Sequence, residues 1–282
     1  MLARMPTFSL RDVRATCKER DAWWTVLLVD PLAIRLTRLL AARTAVTPGQ
    51  ITVVAFALGL GAAGCFVQGT PGWLALGALL YHAGFVLDCC DGKIARLKGL
   101  GTPFGAWLDF MLDRVRDGAC AMALAHGLYT VTGQAAYWGM ACAILALDMF
   151  RYLNGAQIAK ARRAMRELEA ELGAALQRTP PEVGTVPRRG DGAAARLRHV
   201  YARVRDFLLR HRIRMHLVSG IEFQMAAFIV GPLTGFVLPV VAVAGLMLLL
   251  FEIALIVRFC HAVRRFVPEP LAAARSASAP AA

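Results

Sequence analysis

The stretch LDCCDGKIARLKGLGTPFGAWLDFMLDRV, residues 87–115, sets Asp88, Asp91, Asp109 and Asp113 between two long apolar runs. Asp88 and Asp91 are three residues apart and Asp109 and Asp113 four apart, so each pair shares one face of a helix. The segment between the pairs is short and polar, and its Thr102-Pro103 reads as a helix cap followed by a first helical residue. The stretch therefore reads as a hairpin: one apolar helix ends, a tight turn follows, and a second apolar helix begins. The four carboxylates can then meet at the polar end of that hairpin.

The same reading extends along the chain. Of 282 residues, 57% are hydrophobic and 18% charged, which is too apolar for an ordinary soluble domain. Six windows are long enough to cross a hydrocarbon core as helices, at about 50–68, 72–92, 103–126, 135–155, 215–232 and 238–258. The expected fold is all-α: a polytopic membrane protein of six transmembrane helices with an N-terminal interfacial amphipathic helix. Residues 1–46 form the juxtamembrane helical segment, anchored by Trp23 and Trp24, with Asp30-Pro31 as a cap and first turn. Residues 47–155 hold four spans and the carboxylates, and 156–214 form a basic cytoplasmic insert. That insert reads as a helix at 156–177, a linker at 178–195 and a second basic helix at 196–214. Residues 215–260 hold the last two spans and 261–282 a cytoplasmic tail.

Charge sets the expected orientation. Eight Lys/Arg precede the first span, and residues 156–214 carry fourteen against six Asp/Glu. The turns at 68–72, 129–134 and 232–236 carry none. By the positive-inside rule both termini, the 93–102 turn and the insert lie on the cytoplasmic side of the cell membrane. The net charge of +13 is then a contact with anionic membrane lipid. No nucleic-acid-binding motif accompanies it, so nucleic acid is not an expected partner. The seven cysteines are scattered, without metal-ligand spacing, and read as small hydrophobes. Residues 1–22 are polar and basic, unlike a signal peptide.

Four carboxylates at one membrane boundary repel one another unless their pKa values rise or a divalent cation joins them. Hard oxygen ligands favour magnesium or manganese, and magnesium is commonly shared between carboxylates and phosphates. The residues between the pairs suit a phosphate. Gly92 and Ala95 keep the wall shallow, and Arg96 offers a guanidinium fork. Gly105 removes a side chain beside the helix N-terminus that Thr102 caps, an end that favours anions. The combination suits a nucleotide pyrophosphate.

The pattern Asp88-x2-Asp91-Gly92-x2-Ala95-Arg96-x8-Gly105-x3-Asp109-x3-Asp113 resembles, without departure, the signature of the CDP-alcohol phosphotransferase family. Eight fixed positions over 26 residues carry the likeness, and the six-span architecture extends it. The resemblance implies a homodimer that transfers a phosphoalcohol from a CDP-linked donor to an acceptor hydroxyl, releasing CMP. It implies that Asp88, Asp91 and Asp109 ligate metal, with Asp113 shared between a second ion and the role of base. It implies that Gly92, Arg96 and Thr102 contact the donor and that Ala95 and Gly105 admit it. Thr47-Pro48-Gly49-Gln50-Ile51-Thr52 resembles the start of the family's first span, which often has Asn where this chain has Gly49, so no binding role is carried to that position.

The mechanism expected on physical grounds uses Asp113 to deprotonate the acceptor hydroxyl, while two cations offset charge on the pyrophosphate. The apolar flanks favour CDP-diacylglycerol as donor; a soluble CDP-alcohol with a lipid acceptor would use the same chemistry. The acceptor is left open among glycerol phosphate, inositol, inositol phosphate, serine, another small alcohol or polyol, and a lipid alcohol. Asp148, Arg151, Glu222 and Arg258 fall within spans and are candidates for an acceptor pocket or for inter-helix pairs. Arg151 with Lys160 or Arg162 would clamp an acceptor phosphate. Arg114 and Asp117 read as a supporting ion pair and His82 as a hydrogen-bonded span residue. A prenyltransferase would need a second aspartate-rich motif, and a divalent-cation carrier would place charge near mid-membrane in several spans; neither pattern is present.

Overall fold

The computed structural model describes residues 8–176, 202–203, 206–214 and 218–266. It is all-α: the described residues form helices and no strand, with one isolated bridge between Asp21 and Ile213. The expected linker at 178–195, positions 196–201 and 204–205 of the second basic helix, and the tail beyond 266 lie outside the described residues.

Helix starts follow the sequence. Ser9 caps α1 (Leu10–Ala15), its hydroxyl accepting from Asp12 N at 3.2 Å while Asp12 Oδ2 accepts from Ser9 N at 2.8 Å. Those hydrogen bonds hold the Asp12 carboxyl below its ordinary range. A π turn at Thr25–Val29 leads into α2 (Asp30–Arg43), with Pro31 in the first turn. Asp30 does not act as the cap: its carboxylate takes the buried Lys93 ammonium at 2.9 Å and Arg212 at 3.2 Å. A charge partner outbids a backbone N–H for a carboxylate held away from water. Thr47 caps α3 (Pro48–Phe66) and Gln50 completes the capping box, a partner the sequence reading left out.

α4 (Pro71–Lys98) and α5 (Pro103–Thr132) form the expected hairpin, and both pack on α3. Small residues let the backbones approach. A Cβ on Gly127 would overlap the Phe66 carbonyl, so α5 crosses the end of α3 almost backbone to backbone. Phe66, Tyr81 and Phe228 fill the buried centre, with ring centroids 4.9 Å apart for Tyr81–Phe228 and 6.5 Å for Phe66–Phe228. Later in the chain come α7 (Gly220–Met225), a π turn at Ala226–Val230, α8 (Gly231–Thr234) and α9 (Val237–Phe266).

The expected fourth span and the helix of the insert are one continuous helix, α6 (Ala136–Leu176). The sequence AQIAKARRAMRELEAELG is built of strong helix formers, and Gly155 does not interrupt it. Three described helices are long and apolar enough to cross a membrane: Pro48–Phe66, Pro71–Lys98 and Val237–Arg264. α5 and α6 have the length but carry charged residues, and the apolar run Gly220–Thr234 is shorter. The chain divides into two compact units, Met1–Leu147 with Val204–Leu248, and Asp148–Arg203 with Leu249–Ala282.

Candidate active site

The carboxylate cleft lies in the first unit. α4 ends at Gly99, whose φ of +66° is a left-handed C-cap that glycine adopts without strain. Thr102 then caps α5, its Oγ1 accepting from Gly105 N at 3.0 Å, with Pro103 in the first turn. The start of α3 lies across this turn. Together they enclose a cleft of about 780 Å³. Its walls gather Asp91, Asp109, Gly92, Ala95, Arg96, Thr102 and Gly105, all singled out from the sequence, with Thr47, Gly49 and Thr52 from α3.

Asp88, Asp91 and Asp109 each offer a carboxylate oxygen within 4.8 Å of the others. Thr52 donates its hydroxyl to Asp91 Oδ2 at 2.6 Å and orients that carboxylate. Asp109 Oδ1 is buried with no hydrogen-bond partner. An acceptor left bare inside a ring of carboxylates is costly unless a cation completes it. The donor set, all hard oxygens, therefore fits a divalent cation. Asp113 stands outside this set of three: its Oδ1 is held by Arg116 Nη1 at 2.8 Å.

Arg96 lines the cleft, but its Nε donates to the Thr16 carbonyl at 2.7 Å. The N-terminal segment thus sets where the guanidinium sits. Thr52 and Thr16 were missed as site residues. Thr52 was within reach of the sequence reading, since it ends the TPGQIT segment, whereas a backbone carbonyl eighty residues upstream leaves no signal in composition.

The other residues singled out are dispersed. Arg114 pairs with Asp117 at 2.9 Å, as expected of a supporting pair. His82 sits edge-on to Trp24, and its buried Nδ1 has no hydrogen-bond partner, unlike the bonded span residue expected. Glu222 is buried in the capping box of α7, accepting from Ser219 N at 2.9 Å, and lines an apolar groove rather than the carboxylate cleft. Asp148, Arg151, Lys160, Arg162 and Arg258 belong to the second unit, where Lys160, Arg162 and Arg258 are exposed. Cys17, outside the spans, has its thiol pushed up by burial and by the Asp30 carboxylate, in keeping with an inert side chain.

Residues 45–174 match the family model described as CDP-alcohol phosphatidyltransferase. The chain is 33% identical over 160 residues to the phosphatidylinositol phosphate synthase of Cutibacterium acnes, covering 56% of this chain and 70% of that one. It belongs to the CDP-alcohol phosphatidyltransferase family. The chain is also 38% identical over 93 residues to the phosphatidylinositol phosphate synthase of Corynebacterium glutamicum, covering 33% of this chain and 39% of that one. With the bifunctional IPC transferase and DIPP synthase of Aquifex aeolicus it shares 44% identity over 82 residues, 29% of this chain and 18% of the other. In most such relatives the match spans less than half of the relative's length. The family-matched region contains every residue of the carboxylate cleft named above.

Proposed function

We propose that this family member transfers a phosphatidyl group from a CDP-linked donor, CDP-diacylglycerol, to the hydroxyl of a small polyol, releasing CMP. The observation that carries the reading is the convergence of three carboxylates within 4.8 Å, two of them on the wall of a cleft otherwise lined by small residues, an arginine and a capped helix N-terminus. Such a wall is suited to a pyrophosphate and offers a cation-binding edge beside it.

Asp88, Asp91 and Asp109 would hold the cation, magnesium or manganese, and Asp113 would share a second one. The bound ion supplies charge neutralisation to the pyrophosphate and to the departing CMP. Arg96 and the N-terminus of α5 bind the donor phosphates, and Ala95 and Gly105 leave them room. Asp113 takes the proton from the acceptor hydroxyl; the acceptor oxygen then bonds to the phosphorus that bears the lipid, and that phosphorus's bond to CMP breaks.

Two of the relatives are phosphatidylinositol phosphate synthases, which supports a phosphorylated inositol as acceptor. Arg151, Lys160 and Arg162 are the basic candidates for its phosphate by chemistry alone. Six spans, a cytoplasmic site, an interfacial N-terminal helix on anionic lipid and a homodimer complete the reading. The three helices long and apolar enough to cross a membrane, and the basic segments, support its membrane part.

The test is CMP release by purified protein given CDP-diacylglycerol, a divalent cation and single acceptors. Turnover with inositol phosphate, lost on chelation and in Asp88→Asn, is the expected result. Turnover only with a soluble CDP-alcohol would replace the donor, and silence with every pair would overturn the reading.

A further inference from the structure

Behind the carboxylate cleft lies a buried polar cluster that the reaction as described does not use. Asp117, 4% exposed, has both oxygens saturated. Its Oδ1 accepts from Tyr81 Oη at 2.8 Å and from Arg116 Nε at 3.0 Å. Its Oδ2 accepts from Gln224 Nε2 at 2.8 Å and pairs with Arg114 at 2.9 Å. Four donor side chains on two oxygens leave Asp117 nothing to offer a cation or substrate. What it can do is hold Arg116.

Arg116 is 2% exposed, deep among helices, where a lone cation is costly. Its guanidinium is shared. Nε and Nη2 (3.0 Å) lie on Asp117, and the face of Tyr81 is 5.2 Å from Cζ. The remaining arm, Nη1, reaches one turn back to Asp113 Oδ1 at 2.8 Å. Its aliphatic stem fills the space beside Gly59 of α3, where even a Cβ would overlap it. The guanidinium is thus fixed from behind by α4, α5 and α7, and from the side by α3. A planar fork can bridge two carboxylates in this way; an ammonium cannot.

We infer that Arg116 is the positioning residue for Asp113: its bridge to Asp117 fixes one oxygen of the base, so that Oδ2 presents to the acceptor hydroxyl. The inference rests on the proposed transfer reaction. Asp113 is set apart from the group of three, and one of its oxygens is held in the ion pair with Arg116. A base misplaced by an ångström costs on the order of a hundredfold in rate.

Arg116→Lys keeps the charge and removes the fork. Measured beside the wild type, it should lower kcat by about a hundredfold while KM for donor and acceptor stays within about threefold. Tyr81→Phe removes a donor from Asp117 without touching Asp113, and should lower the melting temperature in detergent with kcat within about threefold of wild type. If Arg116→Lys fails to fold, Gly59→Ala displaces the arginine stem with every charged group retained, and should reproduce the kcat loss. A folded Arg116→Lys or Gly59→Ala with wild-type kcat, or a defect confined to KM, overturns the positioning role while the transfer reaction stands. A wild type that turns over no CDP-linked donor overturns both.

Discussion

Thr52 shows what a single hydroxyl can do for a charged site. It comes from the first turns of α3, on a helix that contributes no carboxylate, and donates to Asp91 Oδ2 at 2.6 Å. Thr52→Val keeps the shape and removes that donor. Partners that orient a ligand commonly cost ten- to a hundredfold in metal affinity when lost. The half-saturating magnesium concentration for CMP release should therefore rise by about tenfold, with kcat at saturating metal largely kept; an unchanged metal titration would deny Thr52 this role. Arg96 makes the complementary point. Its Nε is spent on the Thr16 carbonyl, so Arg96→Lys loses the anchored fork and should raise the donor KM by roughly tenfold. The grouping of Asp88, Asp91 and Asp109, the place of Arg96 on the cleft wall and the Thr102 cap were legible in the sequence from spacing and residue type. Thr16 was not, since any residue supplies a backbone carbonyl, and Asp30 was misassigned because its partners lie 63 and 182 residues away.

At the scale of elements, the starts and stops were the legible part and the crossings were not. Thr47-Pro48 and Thr102-Pro103 cap α3 and α5 as their residue types require, and the hairpin turn falls where the polar residues put it. Thr102→Ala removes the acceptor for Gly105 N and should cost about 1 kcal/mol, read as a lower unfolding midpoint in detergent. The length of α6 was missed because a change from apolar to charged composition reads as a boundary, although the backbone needs none. The tight crossing of α5 over the end of α3 at Gly127 leaves only a glycine in the sequence, one among 25. Gly127→Ala must push the Phe66 backbone aside and should destabilise by about 1–3 kcal/mol. Size-exclusion profiles before and after heating would register it, and an unaltered profile would mean that the two helices can part cheaply.

For the whole molecule, hydropathy and charge together set the proposed topology. With the seven native cysteines replaced, Gln134→Cys should react with an impermeant maleimide in intact cells, and Gly101→Cys only after lysis. Labelling of Gly101→Cys from outside, with Gln134→Cys reacting only after lysis, would reverse the orientation and move the cleft across the membrane. The all-α class and the membrane character were legible because composition suffices for them. The number of spans was read more generously than helix length and apolarity alone support, since α5 and α6 dilute their apolar runs with the charged residues that make the chain interesting.

The Asp30 carboxylate bears on how the polypeptide is made. Lys93 belongs to the second apolar helix, whereas Arg212 follows it by more than a hundred residues. A ribosome delivers these groups in order: the carboxylate first, the ammonium once α4 has left the tunnel, the guanidinium much later. The N-terminal segment can therefore dock on α4 during synthesis as a neutral pair, and the later arrival of Arg212, which also donates to the Lys18 carbonyl at 2.7 Å, fastens it like a clasp closed last. A chain interrupted before residue 212 would carry the docked segment without its clasp, a partly dressed intermediate for the cell's quality control to find.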